Sequence, residues 1–139
     1  MLNNIDATKQ KTVIGNLKLF KVVSLDEVDP TILKDPHITG ESFRLGEEVF
    51  RPVEIVSDGY DTFVYKGLVA FDSLVGAWDC IRLLERHYPS MTDRFTVAEI
   101  SLSNNTTFYT GYHVRNDASI KIYAVDSFKV ERIVEEMAA

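Results

Sequence analysis

Tyr109, His113, Arg115 and Tyr123 are the side chains whose types and spacing come nearest to a functional site. On an alternating strand Thr107, Tyr109, Gly111 and His113 share one face, and Phe108, Thr110, Tyr112 and Val114 take the other. Both faces are partly aromatic. One must meet the helices, and the other presents aromatic and polar groups to solvent, a ligand or a partner. Tyr123 on the following strand is expected to join that second face, with Arg115 at its rim. A shallow site near Tyr109, His113 and Tyr123 would hold a small planar or anionic ligand.

The other reactive side chains point to structure rather than chemistry. His37, His87 and His113 form no metal-binding pair such as His-x-x-x-His. His87 falls in the last turn of a helix, where a donor or cation suits the free carbonyls. Cys80, the single cysteine, falls in an apolar helical stripe and reads as an inert core thiol. It excludes an internal disulfide and a cysteine-rich metal site. There is no Gly-x-Ser-x-Gly elbow, and the scattered glycines form no phosphate loop. Glu47 and Glu48 are adjacent on a strand, so they point to opposite faces and cannot act as a paired acid and base alone. No catalytic residue, metal or cofactor is implied.

A repeated phrase marks the elements that must position these residues. Ala70-Phe71-Asp72-Ser73 and Ala124-Val125-Asp126-Ser127 share the pattern Ala-apolar-Asp-Ser. Each closes a strand-like run, and each is expected to cap a helix through Asp or Ser. The first helix spans residues 73–88, with Leu74, Ala77, Trp78, Ile81, Leu84 and Tyr88 on one stripe and Pro89 after it. The second is expected over 128–137, where Val130, Ile133, Val134 and Met137 repeat at i, i+3, i+4, i+7.

Strands are expected at 12–23, 43–56, 62–70, 95–102, 106–114 and 119–125. The first reads as one long strand, with one face toward water or the whole strand at a sheet edge, because Asn16, Lys18 and Lys21 interrupt its apolar run. Ser24 and Glu27 resemble a capping box for a short helix. Gly46 and Pro52 break the second run. Asp58-Gly59 is a strong hairpin signal, and Asn104-Asn105 and Asn116-Asp117 mark further turns. The expected fold is a single α+β domain over 1–139: a mainly antiparallel sheet with two amphipathic helices on one face, with a possible βββα–βββα duplication.

Net charge is −6, unevenly spread. Residues 1–23 hold four lysines and one acid, whereas 24–61 hold three bases and ten acids. The acidic middle disfavours nucleic-acid binding. No secretory signal pattern and no membrane-length apolar run is present, so a cytoplasmic protein is expected. The expected function is binding without catalysis, through a sheet face or edge, to another protein or to a second copy in a homodimer or larger homo-oligomer. Two alternatives are a small-molecule-binding protein or enzyme with the pocket named above, and an acidic inhibitor of a nucleic-acid enzyme.

Overall fold

A computed structural model of the chain describes residues 10–26, 28–36, 41–57, 62–66, 68–87, 94–115 and 118–134. Among the described residues it contains twelve strands and one helix. In chain order the strands are β1 (Lys11–Thr12), β2 (Leu17–Leu25), β3 (Ile32–Lys34), β4 (Ser42–Arg44), β5 (Glu48–Phe50), β6 (Glu54–Ser57), β7 (Thr62–Lys66) and β8 (Leu68–Phe71). Helix α1 (Leu74–His87) follows, then β9 (Arg94–Leu102), β10 (Thr107–Arg115), β11 (Ala118–Val125) and β12 (Ser127–Val134). All pairings are antiparallel. The mainly antiparallel α+β expectation therefore holds, but with one helix in place of two.

The main sheet runs β1-β10-β11-β8-β2-β9-β12-β5, with β3 also on β2 and β4 on β3. Its connections force it to curl. Only Asp126 separates β11 from β12, which stand four places apart in that order. A flat sheet would put them about 19 Å apart at the usual strand spacing. Two Cα steps reach only about 7 Å. The sheet must therefore fold over on itself, its halves meeting at corners where the chain changes partner. The turn from Ser103 to Thr106 makes the second corner, carrying the chain from β9 to β10; Asn105 takes φ 72° there.

Folding over creates two apolar regions. The inner one is built from Leu19, Val23, Leu33, Phe43, Leu68, Ile100, Phe108, Tyr123, Phe128 and Val130, among others. The outer one joins Val22, Phe71, Val97, Tyr109 and Ile122 to Ala77, Ile81 and Leu84 of α1. Ser73 caps this helix, its Oγ accepting from the Gly76 amide at 3.1 Å. Trp78 lies partly buried against the outer region, and its indole N–H finds no acceptor among the described residues. Away from α1 the outer face is solvated. There Glu99 meets Lys18 at 3.4 Å and Arg132 at 3.2 Å.

The expected second helix is strand β12, and the two-helix duplication falls with it. Phe128 and Val130 face inward in strand alternation, and the register then shifts between Val130 and Arg132. After this bulge Ile133 again faces inward, opposite Ala98, and Val134 lies under the outer apolar region. A bulge changes the spacing of inward residues from two to three. That change mimics the helical i, i+3, i+4 pattern.

Residues 12–23 are not one edge strand either. Gly15, at φ 83°, lets the chain leave β10 and join β9, which an L side chain would oppose. Its amide is held by Asn104 Oδ1 at 2.9 Å. The longer piece, β2, is central, flanked by β9 on one side and by β8 and β3 on the other. Ser24 lies within β2, opposite Phe95, and caps no helix. Asp26 instead closes the next turn, accepting from the Val28 and Asp29 amides. Gly46, at φ 81°, and Pro52 separate β4, β5 and β6 as the pattern implied. The β6–β7 hairpin is present as a separate two-stranded sheet. Glu27, His37, Asp58, Gly59, Tyr88, Pro89, Asn116, Asp117 and Met137 lie outside the described residues. No described helix is long and apolar enough to cross a membrane.

Candidate functional site

Strands β10 and β11 form the hairpin that carries the aromatic residues. Their register sets Thr110 opposite Tyr123, Tyr112 opposite Lys121 and Tyr109 opposite Ala124. Side chains directly opposite one another share a face. Tyr109 and Tyr123 are therefore on opposite faces. Tyr109 is buried in the outer region beneath α1, with its hydroxyl accepting from Gln10 Nε2 at 3.3 Å. Tyr123 is buried in the inner region, its ring 5.5 Å from that of Phe108. His113 and Arg115 are placed by backbone register alone, opposite Ile120 and Ala118. Tyr109 and Tyr123, on opposite faces, do not come together as one site.

What the fold does assemble lies on the inner face. Going along the hairpin from the core, that face carries Phe108 and Val125, then Thr110 and Tyr123, then Tyr112 and Lys121. Phe108, Val125 and Tyr123 are buried, and Tyr112 is 52% exposed at the rim. Asp72, between β8 and the start of α1, reaches this rim and accepts from the Tyr123 hydroxyl at 3.3 Å. Lys121 Nζ lies 5.2 Å from the centre of the Tyr123 ring, within cation–π range. The neighbouring Tyr123 hydroxyl raises the Lys121 pKa, so the ammonium stays charged. Burial raises the Tyr123 pKa, so its hydroxyl keeps its proton as a donor. The rim thus offers a fixed cation, an exposed aromatic ring and a carboxylate on one edge of an apolar floor. It can stack, pair and hydrogen-bond.

The sequence pointed to Asp72 only as a helix cap and did not single out Tyr112 or Lys121 as site residues, although a signal for those two was present. A two-residue turn at Asn116-Asp117 makes Arg115 and Ala118 partners. Counting back from that pair puts Tyr112 with Lys121 and Thr110 with Tyr123.

A second polar cluster is hidden inside the sheet. Lys21 is 2% exposed and points inward from β2 between Leu19 and Val23. Its Nζ lies 2.6 Å from Asp35 Oδ2 and 3.2 Å from the Val69 carbonyl oxygen. The Phe43 ring centre is 6.0 Å away. The sequence signal here was parity: Leu17, Leu19, Val23 and Leu25 form one face of β2, and Lys21 falls in the middle of it.

Burial pushes the Cys80 thiol pKa up to about 11. No group of His, Cys, Asp and Glu among the described residues could hold a metal ion. Comparison with known proteins found no matching family model, no matching curated protein and no matching solved structure.

Proposed function

We propose that this chain acts by binding rather than by catalysis, and that it binds through the β10–β11 hairpin, first of all to a second copy of itself. The observation that carries this reading is the gradient along the inner face, from buried Phe108 and Tyr123 to the exposed ring of Tyr112 beside the Lys121 ammonium. Exposed aromatics next to a fixed cation are the groups that anchor protein interfaces. The outer edge of β10 adds to it. Among the described strands β1 pairs with β10 only at Thr107 and Phe108, whereas β11 pairs along its whole length. A strand edge is a template for pairing, and twofold dimers are the commonest symmetric solution.

Light scattering at micromolar concentration tests this. The expected mass is at least twice 15.8 kDa, falling to the monomer value in Tyr112→Glu with the melting temperature little changed. A monomer mass for the unaltered chain at both low and high salt overturns self-association.

The Tyr123, Lys121 and Asp72 contacts favour one further reading, a small planar or anionic ligand at the same rim. A thermal-shift screen separates the two readings. A ligand that binds only the native state raises the melting temperature by an amount that grows with the logarithm of its concentration above Kd, and Lys121→Ala should abolish that shift.

A further inference from the structure

The little that pairs with the outer edge of β10 fixes which of its backbone groups point there. The Val13 amide donates to the Thr106 carbonyl at 2.8 Å, and two residues along, Lys11 stands opposite Phe108. Residues two apart on a strand turn their N–H and C=O to the same side. Thr110, Tyr112 and Val114 therefore turn theirs to the outer edge, while Tyr109, Gly111 and His113 turn theirs to β11. β1 stops at Lys11, and Gln10 belongs to no strand. Among the described residues, Thr110, Tyr112 and Val114 have no strand partner on this edge. Nothing in the window defends it. It holds neither lysine nor proline, and its ladder with β11 runs from Phe108 to Arg115 without a bulge. The other edge strands of the main sheet, β1, β4 and β5, are two or three residues long, and Pro52 follows β5.

We propose that a second copy fills this window, its β10 running antiparallel to the first about a twofold axis at Tyr112, so that the two sheets join as one. The proposal rests on the reading of β10 as the self-association surface and adds its register and its closure. Two identical strands about such an axis pair residues whose numbers add to a constant, and hydrogen-bonded pairs need outward-facing residues on both strands. Moving the axis toward Thr110 sets Tyr112 or Val114 against the partner's Phe108, whose edge Lys11 already occupies. Moving it toward Val114 sets Thr110 or Tyr112 against the partner's Asn116, beyond the end of β10. Only an axis at Tyr112 uses every open group. Thr110 then meets the partner's Val114, and Tyr112 meets the partner's Tyr112. That pairing covers the ring that stands 52% exposed, and aromatic pairs across strands are stabilising. Gly111 falls opposite the partner's His113 in a pair without hydrogen bonds, where side chains come closest and a glycine leaves room. A twofold contact uses up the patch it is made from, and the remaining edges are short, so assembly closes at two copies.

Cysteine cross-linking tests the register, in a Cys80→Ala background so that no native thiol competes. The double variant Thr110→Cys with Val114→Cys keeps Tyr112 and should give a covalent dimer under oxidised glutathione. Across the axis the two positions stand about 5.5 Å apart at Cα, within disulfide reach. Within one chain, and between like positions of two chains, they are roughly 13 Å apart, so each single variant should give no cross-link. Light scattering on the unaltered chain separates the outcomes. A dimer whose double variant does not cross-link overturns the register and leaves self-association standing. Cross-links in either single variant, or a mass above twice 15.8 kDa, overturn the closed twofold pairing. A monomer overturns both readings. Should the double variant fail to fold, amide exchange decides. Thr110 and Val114 amides protected in the unaltered chain and fast in Tyr112→Glu support the joined sheet. Fast exchange in both chains, or protection in both, removes it.

Discussion

Single carboxylates in this chain differ by what surrounds them, and Asp26 shows the consequence for pH. Its carboxyl is held down at about 2, first by the Asp29 amide and then by Lys34, 3.1 Å away. Its pKa is lower folded than unfolded, so the stability it contributes is present above about pH 4 and is lost as pH falls toward 2. Asp26→Asn should flatten that part of the stability–pH curve, because the amide oxygen still accepts from the turn but does not titrate. An unchanged curve would show that the acid sensitivity lies elsewhere. Asp126 is the opposite case, its pKa raised by burial at the corner between β11 and β12. The phrase Ala-x-Asp-Ser therefore does two jobs: Ser73 caps a helix at one copy, and Asp126 turns a corner at the other.

At the scale of elements, β12 offers the sharpest test. If Glu131 is the extra residue of a bulge, deleting it restores plain alternation: Phe128, Val130 and Ile133 still face inward, and Arg132 still faces Glu99. The deletion variant should fold. Deleting Lys129 instead should not be tolerated, because it puts Phe128 and Val130 in adjacent positions on opposite faces. Each buried aliphatic side chain so displaced loses about 1.5–3 kcal/mol of transfer free energy. Denaturant unfolding of both variants gives the answer. If 128–137 were a helix, either deletion would rotate the following residues by the same angle and be equally damaging.

For the whole molecule, charge and topology decide more than composition does. The acidic stretch 24–61 looks in sequence like a charged surface awaiting a basic partner. In the fold many of its acids meet bases, mostly from the same stretch: Asp26 with Lys34, Asp29 with Arg44 at 3.8 Å, Glu41 with Arg51 at 2.6 Å and Asp35 with Lys21. The exposed pairs among them are individually weak, but each neutralises its acid locally. The proposed self-association therefore rests on Tyr112 and the β10 edge, and it should depend only slightly on salt. Topology sets the folding rate. The pairings β2–β9, β9–β12, β8–β11 and β5–β12 join segments far apart in the chain. Stopped-flow refolding is expected in milliseconds to seconds, as for other sheets of high contact order. Microsecond folding would contradict the non-local pairing.

Local features were legible in the residues alone: α1 and a cap at Asp72 or Ser73, strands β9, β10 and β11 to within a residue or two, the hairpin between β6 and β7, and the breaks at Gly46 and Pro52. Each depends on a period or a turn preference read within about ten residues. Tertiary structure alone decided the rest. Helical spacing at Val130, Ile133 and Val134 became a strand because β9 and β5 supplied partners on both sides, and a bulge absorbed the change of phase. Lys18 and Lys21 looked alike as interruptions of an apolar run, yet Lys18 reaches water and Lys21 is sealed inside. A period of two tells which residues share a face of a strand, but not which face the sheet will close over. That choice is made by Asp126 and the 103–106 turn, which fold one half of the sheet onto the other. The hairpin register alone puts Tyr109 and Tyr123 on opposite faces, whereas the closure brings Tyr112, Lys121 and Asp72 to one rim.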